Sequence, residues 1–335
     1  MTIYTGFLGS YTRRKSTGIR RFAFDGKEFR TEDFMQIGNP AYLTLSADGN
    51  ILYSVVKHGD ASGAASIDIH EKKVTGISTA EGEAPPCYLS LIPEGLLACN
   101  YHAGNLDLYA IEEGAITGRS QSISHEGSGP VTGRQDSSHI HFAHKNPYNE
   151  DILVCDLGTD RVWIYGFNGE LRKKDSINFP AGSGPRHLVF HRTEKIAYVL
   201  SELTSEVFTV DFRDGSYRII HCSRALPGDF QGNSIAAAIR ISNDSRFIYT
   251  SNRGHESITI FKVTESFTTS VVDIVPSYGK HPRDFNISPD GRYLLLANMD
   301  TDNLSLYSVD QETGGLEILR SDIYSPECVS VVFES

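Results

Sequence analysis

An all-β ring, a seven-bladed propeller with four antiparallel strands per blade, is predicted from three features of the sequence. A strand–turn–strand unit recurs along the chain, no helical period is sustained anywhere, and each chain end carries half of one further unit.

The recurring unit is a short apolar strand, a polar turn, and a second strand rich in Ile, Leu, Tyr and Val. Its six copies fall at 41–56, 87–100, 139–156, 186–202, 237–253 and 283–299. Taking Ser46, Ile92, His144, His191, Ser242 and Ser288 as first turn residues gives spacings of 46, 52, 47, 51 and 46. A strand-built period of that size matches a four-stranded propeller blade. Residues 326–333 read as the first strand of another copy that then stops. Residues 3–10 read as a second strand lacking its first, and 18–24 and 28–37 supply a third and fourth. Joining the ends completes a seventh blade and removes two open sheet edges. The whole chain, 1–335, is expected to form this one domain.

Composition narrows the function. No apolar run approaches the ~18 residues that would span a bilayer. The five cysteines, Cys87, Cys99, Cys155, Cys222 and Cys328, are scattered without a CxxC pair, so free thiols and a cytoplasmic setting are expected. A net charge of −11 without a basic block argues against nucleic acid and against a membrane surface, while leaving room for a local cationic pocket. The sequence carries no signal of oligomeric state.

Blade geometry places the start of each first strand and the end of each second strand at one mouth of the central channel. Five residues before each turn, the copies put Ala41, Cys87, His139, Arg186, Ala237 and Arg283 there, with Glu327 from the closing strand. The second strands add Lys57, Asn100, Asp156, Glu202, Asn252, Arg253 and Asn298. Any one of these residues has a structural alternative: Arg186 could bridge blades, Glu202 could cap a loop, and His139 and His141 could pair. Their convergence at a concave mouth makes the set a candidate site. The His139-x-His141 spacing suits a metal, but two ligands are too few, so neither metal nor cofactor is expected. The stretch 124–137 leads into His139 as a surface loop able to overhang the mouth. A Gly-x-Ser-x-Gly elbow and a WD signature are both missing.

Several segments carry a resemblance: Ser138–His141 (SHIH), DLGTDRV (156–162), GPRH (184–187), LPGDFQGNS (226–234), SNRGHESI (251–258) and HPRDFNISPDGRYLLLAN (281–298). In this order, over nearly the whole chain, they resemble the lactonase family of seven-bladed propellers. That family includes propeller-type 6-phosphogluconolactonases and carboxy-muconate cyclases. The cyclase branch implies a catalytic histidine, two arginines and a glutamate. Here they fall on His139 (with His141 as the alternative), Arg186, Glu202 and Arg253. Substrate contacts are expected from His141, Asp156, His187, Asn252, Arg283 and Asn298. Met299 departs from the glutamine that the resemblance implies. The implied activity is hydrolysis of a sugar lactone such as 6-phosphogluconolactone, with a small anionic lactone or dicarboxylate as partner. Muconate-type lactone cyclisation and a non-catalytic binding scaffold are the rivals. Arg186→Lys and Glu202→Gln are expected to fold like the parent while losing turnover.

Overall fold

A computed structural model describes residues 2–334; Met1 and Ser335 lie outside the described residues. The chain forms seven four-stranded antiparallel sheets. Their innermost strands are Leu43–Leu45, Tyr88–Ile92, Ile140–Lys145, Pro185–Phe190, Ile235–Ile241, Pro282–Ile287 and Cys328–Phe333. Each innermost strand packs against the innermost strand on either side, which closes the ring. Among the described residues the one helical segment is a single 3₁₀ turn, Leu157–Thr159.

Burial explains the composition of each strand. Second strands such as Gly95–Asn100 and Ile196–Ser201 are buried along their whole length, because blades pack face to face on both sides of them. They accordingly read as continuous apolar runs. The outermost strands, for example Arg218–Arg224, alternate exposed and half-buried residues, as a sheet with one wet face requires. Turns between first and second strands repeat one chemistry. Ser46, Ser242 and Ser288 each donate a hydroxyl to the Asp two residues on and accept the amide of Ile51, Phe247 or Tyr293. This serine–aspartate turn is the polar punctuation visible in the sequence.

The seventh blade is assembled from both ends. Tyr4–Ser10 pairs with Cys328–Phe333 on one side and with Gly18–Phe24 on the other. Gly6 lies under the closing strand, where an added Cβ would sit 2.1 Å from the Val332 carbonyl oxygen. Leu8, Phe22, Cys328 and Val331 are buried together with Leu295 and Leu306 of the preceding blade. Glu327, expected at the mouth, is instead a clamp. Its buried carboxylate accepts the successive amides of Arg13, Arg14, Lys15 and Ser16 and so fixes the loop that follows Tyr4–Ser10.

Candidate active site

Five of the seven inner strands start with an irregularity that decides what enters the channel. The pairing with the second strand skips one residue at His141, at Arg186 and at Arg283, and at Val329 on the closing strand. Such a bulge breaks the two-residue alternation and re-aims the extra side chain. All four of these residues line one cavity of about 320 Å³ at the channel mouth. That volume suits a small ligand.

The bulge also corrects the sequence alignment. The turn is closed by a backbone hydrogen bond from Ser46, Asn146, His191, Ser242 and Ser288, each to the carbonyl five residues later. Asn146, not His144, is therefore the equivalent turn residue, and five places before it stands His141. The structure gives that position to His141 and moves His139 out of the cavity lining. His139 stacks on Tyr101 with ring centroids 4.2 Å apart, and its Nδ1 lies 2.7 Å from the Tyr101 carbonyl oxygen.

Asp156, Asn252 and Asn298 are likewise displaced from the cavity. They sit at the end of the paired second strand, Asn252 one residue before the last pair, where the side chain turns into the blade and is fully buried. Asn252 and Asn298 donate to the carbonyls of Ala225 and Ser277, at 3.0 and 3.1 Å, pinning the loop that enters the blade. Asp156 accepts from Ser138 Oγ and from the amides of His139 and Gly158. One residue further along, Glu202 and Arg253 do reach the cavity. Met299 does not line it.

Glu202 organises the centre. One carboxylate oxygen meets Arg134; the other meets Arg186 and, at 2.9 Å, Arg253. Arg186 Nε also donates to Ala237 O on the neighbouring inner strand at 2.7 Å, and Arg253 donates to Ala236 O at 2.6 Å. Burial alone would raise the Glu202 pKa, but Arg253, Arg186, His141 and Arg134 outweigh it and hold the carboxyl well below its usual range. Burial pulls Arg253 down to about 9, which leaves it charged at neutral pH.

His141 and His187 form a second pair, with His141 Nδ1 3.2 Å from His187 Nε2. Burial, reinforced by Arg186, keeps both imidazoles unprotonated to well below the ordinary value. Cys87 lines the same cavity, but burial pushes its thiol up to about 11, so it is no nucleophile at neutral pH.

Two arginines that sequence reasoning passed over complete the mouth. Arg134 comes from the loop expected to overhang it, and that loop is anchored by the fully buried Gln135, which donates to Leu157 O and Asp160. Arg13 comes from the loop clamped by Glu327. The lining thus carries Arg13, Arg134, Arg186, Arg253 and Arg283 against Glu202 and Asp284, and Asp284 is itself paired with Arg240 at 2.9 Å. A chain of net charge −11 has gathered a cationic pocket. Among the described residues no three His, Cys, Asp or Glu side chains converge as a metal site would require.

Comparison with known proteins agrees with this architecture. The family described as "Lactonase, 7-bladed beta-propeller" matches residues 5–333. A Bacillus subtilis protein named 6-phosphogluconolactonase is 35% identical over 346 residues, covering 99% of each chain. A solved protein from Lactobacillus plantarum superposes with a TM-score of 0.93 at 32% identity, covering 100% of both chains. The periplasmic gluconolactonase of Pseudomonas aeruginosa gives 0.91 at 28%, covering 100% of this chain and 99% of that one. By fold, by full-length sequence similarity and by the family's own pattern, the chain belongs to the seven-bladed β-propeller lactonases.

Proposed function

We propose that this chain hydrolyses a sugar lactone, with 6-phosphogluconolactone as substrate, at the arginine-lined mouth. The observation that carries the reading is the Glu202 centre: buried guanidinium groups held in fixed directions around an open cavity, beside an imidazole that is neutral at physiological pH. Water adds to the lactone carbonyl carbon, the carbonyl oxygen becomes an oxyanion, and the ring C–O bond then breaks to give a hydroxyl and a carboxylic acid, which loses its remaining proton to solvent. Arg186 and Arg253 are oriented before the substrate arrives, and such donors can supply several kcal/mol to the oxyanion. Glu202 is too well stabilised as a carboxylate to be an effective base, so its role is to fix the arginines. His141 takes the proton of the attacking water. In the tautomer that donates Nδ1–H to His187, its Nε2 is an unprotonated acceptor, and no protein hydrogen bond occupies that atom. The proton then passes to the leaving ring oxygen.

His141 works as a base only when unprotonated, so its activity is present above its pKa and lost as pH falls through it. That pKa lies well below 6.5, by burial first and Arg186 second. The acid limb of kcat/KM is therefore expected well to the acid side of a free imidazole's pKa. Of the groups that face it, Arg283 acts in the same direction, Glu202 opposes without reversing it, and the rings of His187 and Tyr101 complete its surroundings. A limb centred between about 6.5 and 7 would remove His141 from this role.

The defining assay is turnover of phosphorylated and plain gluconolactones and of muconate-type dicarboxylates, with and without chelator. Turnover of the dicarboxylates alone would make the cyclase reading the better one, and inactivity on every compound would leave a binding scaffold. The unpaired cysteines support a cytoplasmic setting for this chain.

A further inference from the structure

Two of the five cavity arginines have no direct ion-pair partner among the described residues. Arg134, Arg186 and Arg253 share Glu202, whereas Arg13 and Arg283 form no ion pair and no side-chain hydrogen bond among the described residues. Arg283 is half-buried at the bulge of its inner strand, and Arg13 is exposed at the rim. Tyr11 lines the cavity with them, and the Arg13 guanidinium carbon lies 4.2 Å from the centre of its ring. Glu202 and Asp284 act on Arg283 from a distance, but neither takes up its guanidinium hydrogen bonds, so both planar forks stay open to an anionic ligand.

The rim cation is also held in place from behind. The four amides from Arg13 to Ser16 all converge on the buried carboxylate of Glu327, at 2.8 to 3.1 Å. Glu327 directly precedes the strand that closes the ring, so closure sets the loop that carries Arg13. By contrast, Arg14 and Lys15 on that loop turn away from the cavity to Asp302.

Resting on the lactonase reading above, we propose that Arg13 and Arg283, with Tyr11, form a phosphate monoester subsite separate from the Glu202 centre. The subsite holds the terminal phosphate of the sugar while the lactone carbonyl faces Arg186 and Arg253. A phosphate dianion matches two planar guanidinium forks in both charge and geometry. The subsite would therefore select phosphorylated over plain sugar lactones.

The test titrates inorganic phosphate, with succinate as the dicarboxylate control, into the parent, Arg13→Ala, Arg13→Lys and Lys15→Ala by calorimetry. It also measures kcat/KM on phosphorylated and plain gluconolactone. Arg13→Ala is expected to weaken phosphate binding at least about 10-fold and to lower the phosphorylated-to-plain selectivity ratio by a similar factor, as loss of a charged hydrogen-bonding partner does. Arg13→Lys should recover part of both, and Lys15→Ala should leave both within about twofold, since surface charges away from a site act weakly. Equal loss in Arg13→Ala and Lys15→Ala would mean a diffuse field only and overturn the subsite. So would Arg13-dependent binding of succinate as tight as that of phosphate, or lactone turnover without any phosphate binding. Arg13-dependent phosphate binding in a parent that hydrolyses no lactone would uphold the subsite while removing the hydrolase reading.

Discussion

A chain ending at Ser325 is expected to lose cooperative unfolding and to aggregate. The missing segment supplies the innermost strand of the seventh blade, Cys328–Phe333, and the contacts that join the last blade to the first. Its removal takes away the buried side chains of Cys328, Val329 and Val331 and uncovers Leu8 and Phe22 beneath them. Fully buried side chains of this kind contribute roughly 1.5–3 kcal/mol each. Total stability of a folded protein is about 5–15 kcal/mol, so the apolar loss alone is of the same order. The Tyr4–Ser10 strand would also be left with an unpaired edge, a template for association with other chains. Glu327 would be lost as well, releasing the four amides it holds. Supplying 326–334 as a separate peptide is expected to restore part of the transition. A truncated chain with an unshifted, cooperative melt would show that the ring does not depend on this closure.

Closure and blade count were legible because the strand-forming residues repeat. Ser46, Ser242 and Ser288 stand at equal places in their units because each turn is built by the same serine–aspartate bonding. The third blade hid its register. Its turn, from Asn146 to Asp151, replaces serine and aspartate by an Asn-Pro-Tyr-Asn sequence, and a two-residue misplacement followed, selecting His139 over His141. The closing strand carried the same error, with Glu327 chosen where the bulge places Val329. Arg186, Arg253 and Glu202 line the cavity at the positions their register implies, since their units keep the common length. Asn252 and Asn298 were misplaced because adjacent residues at a strand end point in opposite directions, one into the blade and one into the channel. Arg13 and Arg134 sit on loops whose lengths repeat nowhere else, so periodicity could not find them. The polar run before His139 signalled a loop, but not which side chain it would deliver.

The Glu202 centre gives the sharpest separation between a working site and a structural one. Arg186→Lys keeps the charge but cannot reach both Ala237 O and Glu202 with the planar fork, so the donor aimed at the substrate is lost. A loss of at least about 100-fold in kcat/KM on the responsive lactone is expected, in the range for one oxyanion-stabilising donor, with the fold retained. For Glu202→Gln the geometry changes the sequence-based expectation that the variant folds like the parent. Glu202 is buried and is the shared counter-ion of three arginines, two of them buried with it. Neutralising it leaves those cations facing one another, a change that costs about 3–5 kcal/mol when a buried pair is broken. The variant should therefore melt well below the parent, and sulfate, by replacing the missing negative charge, should raise its melting temperature more than the parent's. Its residual folded fraction should be slow, because the arginines no longer hold their directions. Unchanged stability of Glu202→Gln would mean the carboxylate is not the counter-ion that orders the mouth. A folded Arg186→Lys variant retaining more than about a tenth of parental kcat/KM would place the chemistry elsewhere, since the loss of such a donor is worth far more than tenfold.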